Sequence, residues 1–304
     1  LILPSFHASK TTPICLPRES GDLVIQKKVP AFAGKAKVSH KNISKKIGIA
    51  GLGAIGSAVA RALTEEGGIQ DMTLHAVSDL HGTGPLKVPN VSFADLADQC
   101  DLVIECLPPH AVPALTREVL SKHKEMIVIS SSALLLHPEI MEHLRLSHGR
   151  ILVPSGALAG IDGVRALAQI GIRNARITTT KKPSGFEGAP FILENKIDLS
   201  KITSRQKLFS GNAIEAAHGF PSNINVAVTL SLAGIGPERT GVEIWADPKS
   251  KGNTHEIFVE SAYSTIAVRI ENKPDPKNPK SSVLAAQSII AMLRGMTEPL
   301  VVRG

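Results

Sequence analysis

Aromatic side chains are scarce in this chain: Phe, Trp and Tyr together make up 3% of it, with a single Trp and a single Tyr. That excludes a stacking platform for single-stranded nucleic acid, which needs an aromatic face for each successive base. Cysteine is equally sparse. Cys15, Cys100 and Cys106 are an odd number, at spacings that fit neither a zinc site nor a CxxC redox pair. No metal is therefore expected, and reduced thiols in a cytoplasmic protein are the simplest reading. No apolar run reaches the roughly 20 residues needed to cross a bilayer, so no membrane span is expected. The body of the chain also lacks an excess of either charge. The net +7 arises in the first 46 residues, where Lys27-Lys28, Lys45-Lys46 and other basic residues face only Glu19 and Asp22. The remainder is balanced, so it offers no positive field to a polyanion, and nucleic acid is not an expected partner.

What is present is a 304-residue chain with 43% hydrophobic and 20% charged residues, enough for two ordinary cores. Residues 1–45 show no sustained period and read as a basic extension, disordered or left over from cloning. Because the stretch is basic and acid-poor, an organelle transit peptide is the alternative.

At Lys46 the pattern changes. Ile47-Gly48-Ile49-Ala50 is a short apolar strand that runs into Gly51-Leu52-Gly53-Ala54-Ile55-Gly56, followed by the helical stretch Ser57–Leu63. Further strands are expected at Leu74–Val77, Leu102–Ile104, Ile127–Ile129 and Ile151–Val153, with a helix over Ala111–Lys122. Strands alternating with helices in this way predict an α/β, Rossmann-type doubly wound parallel sheet over residues 46–153. In the GxGxxG turn, Gly51 permits the tight bend, Gly53 lets a pyrophosphate approach, and Gly56 lets the helix pack on the strand. Ala54 and Ile55 open the helix whose free amides hold the phosphates. Asp79 lies 23 residues after Gly56, at the end of the next strand, where a carboxylate accepts hydrogen bonds from the adenosine ribose. It would repel a 2′-phosphate, and no Lys or Arg follows it before Lys87. NAD is thus the expected cofactor, with NADP as the alternative. Ligands sit beyond the carboxyl ends of such strands, so Cys106, Ser131 and Ala133 are candidates for the nicotinamide pocket. Cys106 has no base or cation near it in sequence and is not expected to act as a nucleophile.

After Pro154 the texture shifts. Strands expected at Ala175–Thr180, Val242–Ala246, Ile257–Glu260 and Ile266–Ile270 are rich in β-branched residues. Helices are expected at Gly160–Ile170, Ala213–Ala217 and Val226–Leu232. This predicts a smaller α+β substrate domain over residues 154–279, built on a mostly antiparallel or mixed sheet. A final helix, Ser282–Leu293, within residues 280–304, would pack back on the first domain.

Several short segments then carry a resemblance. Pro154-Ser155-Gly156-Ala157 with Gly160-Ile161-Asp162, Phe209-Ser210-Gly211, Phe220-Pro221-Ser222-Asn223-Ile224-Asn225-Val226-Ala227, Ala246-Asp247-Pro248 and Asn253-Thr254-His255-Glu256-Ile257 occur in an order that resembles the L-aspartate dehydrogenase family. The resemblance covers about residues 46–294. It implies NAD(P)-dependent oxidation of L-aspartate to iminosuccinate and then oxaloacetate plus ammonia, within NAD biosynthesis or amino-acid catabolism, by a homodimer. It implies His255 as the catalytic acid/base and Asn225 and Ala157 as cofactor contacts. Ser155, Gly156 and Asn223, with His255, would border the substrate. Ser222 departs from the pattern, since many relatives carry Lys, Gln or Arg there.

The residues read by themselves are compatible with this. An imidazole titrates near neutrality and can exchange a proton with an amine or water. A dicarboxylate needs donors, which a charged His255, Lys181, Lys182 or helix-start amides could supply. Asn225 and Asp162, each near a helix start, also fit simple caps. The competing functions are a related imine or semialdehyde reductase and a non-catalytic NAD-binding redox sensor.

Overall fold

The computed structural model of the chain describes residues 44–65, 67–273 and 282–302. The basic extension and the transit-peptide alternative therefore lie outside the described residues, apart from Ser44 and Lys45. Among the described residues no helix is long and apolar enough to cross a membrane.

The first half builds a parallel sheet. Its strands are β1 (Lys45–Ala50), β2 (Met72–Ser78), β3 (Leu102–Glu105), β4 (Glu125–Val128) and β5 (Arg150–Leu152), in the order β2-β1-β3-β4-β5. Continuous apolar runs make such strands, because both faces are covered: Leu102, Val103 and Ile104 are all fully buried. One face packs against α1 (Ala54–Thr64). The other packs against α2 (Phe93–Gln99), α3 (Val112–Ser121) and, beyond the short α4 (Ala133–Leu136), α5 (Pro138–Leu146). The α2 helix is not evident from periodicity because it is short. Ser92 caps it, its Oγ accepting from the Asp95 amide at 3.1 Å.

After α6 (Ile161–Ile170) a second, mixed sheet forms from β6 (Ile172–Lys181), β7 (Gln206–Asn212), β8 (Thr240–Ala246), β9 (Asn253–Ser261) and β10 (Thr265–Asn272). Its order is β10-β9-β6-β8-β7. The β6–β8 pair is parallel and the other pairs are antiparallel. The small helix α7 (Pro190–Glu194) precedes β7. Along β8, and along β9 from Thr254 onward, exposure alternates, and the inward residues Val242, Ile244, Ile257 and Val259 share a core with α6, α8 (Ala213–Gly219) and α9 (Asn225–Ala233). Six consecutive residues of α9, Val226–Ser231, are buried. A helix apolar all round belongs in an interior, and this one carries Asn225 into the space between the sheets.

The last helix, α10 (Val283–Arg294), returns to the first sheet. Ala285, Ile289, Ile290 and Leu293 join Val59, Ala60 and Leu63 of α1 in one cluster. Ile289 is fully buried there. Ile289→Ala is expected to lower the unfolding free energy by about 2–5 kcal/mol, measured by urea denaturation; an unchanged midpoint would show that this helix contributes no packing.

Candidate active site

The glycine turn lies where β1 runs into α1. Gly51 has φ +88°, and a Cβ there would stand 2.4 Å from the Cys106 carbonyl oxygen. A Cβ at Gly56 would lie 1.9 Å from the Gly51 carbonyl oxygen, so helix and turn touch only because the residue is glycine. Gly53 differs. Its missing Cβ would point into open space, where a phosphate can approach. No side chain caps α1, so the amides of Ala54, Ile55 and Gly56 lack intrahelical acceptors. These features fit a dinucleotide pyrophosphate.

Asp79 follows β2. Its Oδ2 accepts from the Leu52 amide at 2.6 Å and its Oδ1 from the His81 amide at 2.7 Å. Leu52, Gly53, Asp79 and His81 line a cavity of about 370 Å³. Along the chain no cation follows Asp79 before Lys87, yet the fold brings one from the helix side: Arg61 of α1 lines the same cavity.

A second group of residues assembles where the two sheets meet. Glu105 ends β3 with its side chain fully buried. Its Oε1 accepts from the Leu107 amide at 2.5 Å and its Oε2 from the Ser130 amide at 3.0 Å. Burial pushes its carboxyl up to about 7. The same desolvation, with Glu105 beside it, pushes the Cys106 thiol well above its ordinary value, the opposite of what a nucleophile requires. Beyond β4, Ser131 Oγ donates to the Asn225 carbonyl at 2.9 Å, and the Ser132 amide donates to Asn225 Oδ1 at 3.0 Å. Ser131 Oγ also lies 3.2 Å from Thr229 Oγ1. Asn225 therefore bonds across to the first sheet instead of capping its own helix, which corrects the capping alternative. Asp162 sits in the first turn of α6 as an acid facing the helix dipole, with Gly160 at the cap position. Ala133 is fully buried, and its amide donates to the Ser130 carbonyl at 3.0 Å.

The second sheet contributes His255. The β6–β9 register pairs it with Thr179, and its Nδ1 lies 3.0 Å from Thr179 Oγ1. The ring is only 3% exposed. Lys181, two residues along β6 from Thr179, extends from the same face, and its Nζ donates to Asn223 Oδ1 at 2.8 Å. Burial first, and the Lys181 charge second, push the imidazole pKa down to about 3. Burial pushes the Lys181 ammonium down to about 8. The expectation of a charged His255 donating to the substrate is thus corrected: the ring is neutral, because an imidazolium there would be both desolvated and repelled. Lys182 is exposed at the start of a short 3₁₀ turn.

Ser155-Gly156-Ala157 forms a turn after β5. The Gly156 amide donates to Ser288 Oγ of α10 at 3.1 Å, and the Ala157 carbonyl accepts from Asn272 Nδ2 at 3.4 Å. Ser222 is exposed. A cavity of about 520 Å³ lined by Thr180, Thr254 and Arg269 lies on the opposite face of the second sheet and holds none of the expected site residues. Among the described residues no cluster of three or more His, Cys, Asp or Glu could hold a metal.

The structure gathers Gly51, Gly53, Gly56 and Asp79 around the glycine turn, bonds Ser131 to Asn225, and ties Asn223 through Lys181 to the sheet face that carries Thr179 and His255. Cys106 adjoins the glycine turn through Gly51 and Gly56. Thr179, Thr229 and Arg61 are absent from the motif reading, whereas Glu105 belongs to a strand end, Glu105–Pro109, that the sequence offers for the nicotinamide pocket. For Thr179 a signal exists, the β-branched run Thr178-Thr179-Thr180 that marks a strand, but the register that places it opposite His255 is not local.

The family model described as aspartate dehydrogenase, C-terminal, matches residues 162–296, and one described as NADP oxidoreductase coenzyme F420-dependent matches residues 46–134. L-aspartate dehydrogenase 3 of Bordetella bronchiseptica is 43% identical over 262 residues, 84% of this chain and 96% of that protein. L-aspartate dehydrogenase of Bradyrhizobium diazoefficiens is 41% identical over 257 residues, 82% of this chain and 90% of the relative. The crystal structure of aspartate dehydrogenase from Thermotoga maritima is similar with a TM-score of 0.66 at 26% identity, covering 85% of this chain and 99% of that one.

The neutral state of His255 has a consequence for stability. Its folded pKa lies below its unfolded value, so the unfolded chain binds the extra proton between pH 6.5 and about 3. Stability falls as pH drops through that window, by on the order of 1 kcal/mol per pH unit from this group. Urea titrations at several pH values are expected to show a steeper acid loss for the wild type than for His255→Gln. Parallel curves would mean that the ring charges freely in the fold.

Proposed function

The chain belongs to the L-aspartate dehydrogenase family, and from that premise we propose that it oxidises L-aspartate at the α-carbon, using NAD or NADP. The single observation that carries the reading is the neutral, buried His255 held by Thr179 beside Lys181, across a hydrogen-bonded seam from a dinucleotide-type sheet.

The nicotinamide supplies a hydride acceptor when bound. The amides of Ala54, Ile55 and Gly56 would hold its pyrophosphate, and Asp79 would accept from the adenosine ribose hydroxyls. Arg61 in the same cavity gives a 2′-phosphate a counter-charge, so NAD is preferred and NADP is tolerated. Cys106, Ser131, Ala133 and Ala157 border the nicotinamide end. Asn225 keeps the loop after β4 at a fixed distance from α9.

His255 does the proton work. With its Nδ1–H donated to Thr179 Oγ1, the ring presents the Nε2 lone pair as a base. The substrate α-ammonium must lose a proton before its lone pair can help expel the α-hydrogen as hydride, and His255 accepts it. The product of that step is iminosuccinate. Once the ring has released its proton, it takes one from the water that adds to the imine carbon; collapse of the adduct gives oxaloacetate and ammonia. Ser155, Gly156 and Asn223 line the substrate side. The raised Cys106 thiol disfavours a semialdehyde dehydrogenase that works through a thioester, which needs a thiolate; an imine or semialdehyde reductase needs none and is separated by the substrate screen.

Purified protein is expected to reduce NAD with L-aspartate and not with D-aspartate or L-glutamate. KM for NAD should lie below that for NADP, and Arg61→Ala should widen the gap. His255→Ala should lower kcat by about 10²-fold or more while dinucleotide binding persists. Absence of turnover with either cofactor across the pH range would remove the reading, and full turnover in His255→Ala would remove the histidine's role.

A further inference from the structure

We propose that Lys181 receives the side-chain carboxylate of the substrate and so sets the preference for a dicarboxylic amino acid; the proposal rests on the dehydrogenase reading above. Lys181 ends β6 on the face that carries Thr179 and, across the register, His255. Its Nζ is held by the neutral Asn223 Oδ1 at 2.8 Å. Among the described residues it makes no ion pair with an acid, whereas the half-buried Lys45 and the exposed Lys122 and Lys207 each do. A desolvated ammonium with a single amide acceptor retains donor capacity and an uncompensated charge.

The α-amine and α-carboxylate are common to all amino acids; L-aspartate is distinguished by its second carboxylate. An amide or methyl in that place would leave the ammonium without a counter-charge in a low-dielectric cleft, and sites built around a buried polar group reject such analogues strongly. A carboxylate also changes the base next to it. Lys181 is the charged group that acts on His255, added to desolvation as a cause of the ring's reluctance to protonate. Pairing Lys181 with an anion removes that repulsion and leaves desolvation alone, so the imidazole is a stronger base when the correct substrate is bound. Asn223 holds the amine in place and adds no charge.

The test combines kinetics with direct binding. In Lys181→Met, KM for L-aspartate should rise about 10²-fold with a smaller change in kcat, and the preference for L-aspartate over L-asparagine should collapse. Calorimetric binding of succinate to the protein–NADH complex should weaken by a similar factor, with NADH binding unchanged. Lys181→Arg should recover part of the succinate affinity. If Lys181→Met fails to give a cooperative melt, Lys181→Gln makes the same comparison. Retention of the L-aspartate KM and of succinate binding in the variant would overturn the proposal, as would an equal loss on L-aspartate and L-asparagine, which would place Lys181 on the α-carboxylate. A wild type that binds succinate through Lys181 yet oxidises no L-aspartate would leave this assignment standing and remove only the activity.

Discussion

The cost of keeping two nitrogen bases out of water governs the chemistry open to this chain. His255 and Lys181 lie on the covered face of the second sheet, under the core that α8 and α9 complete. In water both would hold protons at mildly acidic pH. In the fold, desolvation moves both downward, and the charge on Lys181 moves His255 further. An imidazole in this state is a proton acceptor held by Thr179, and the nearby ammonium is an anion receptor. The two roles follow from one packing arrangement.

That arrangement depends on how the sheets are joined. The contacts across the seam are polar and mostly buried: Ser131 and Ser132 after β4 bond Asn225 and approach Thr229 of α9. On the first sheet's side, Glu105 ties Leu107 to Ser130 and fixes the loops after β3 and β4 relative to each other. The seam is held by the Ser131 hydroxyl and the Ser132 amide, while Ser132 Oγ is buried without a partner; such directional bonds define a geometry where an apolar contact would tolerate sliding. The Gly156–Ser288 bond and the apolar contact of α10 with α1 fix the turn after β5 against the helix layer of the first sheet.

Much of the fold is legible in the sequence because its signals are local. The turn from Gly51 to Gly56 is readable because positive φ and a close approach admit only glycine, and the β10 alternation is readable because one face is covered and the other is not. The parallel first sheet and the mixed second sheet follow from the same patterns. The short α2 escaped because seven residues carry too little period. The site was legible only in part. His255 and Asn225 emerge through a family resemblance; unaided, an imidazole on a strand has many roles. Thr179 is hidden because cross-strand register is not written in either strand alone. Arg61 is hidden because the ribose acid and this cation come from different elements. The neutral state of His255 is not legible, since a charge state depends on burial and on the fold bringing Lys181 near, neither of which is written locally.

The account's central claim is geometric and electrostatic at once, and a crystal structure of the complex with NADH and succinate reads it most directly. The account predicts the His255 Nε2 within roughly 3–4 Å of the carbon that faces the nicotinamide, with a succinate carboxylate on Lys181 Nζ. A dicarboxylate bound elsewhere, or a nicotinamide ring directed away from His255, would contradict it.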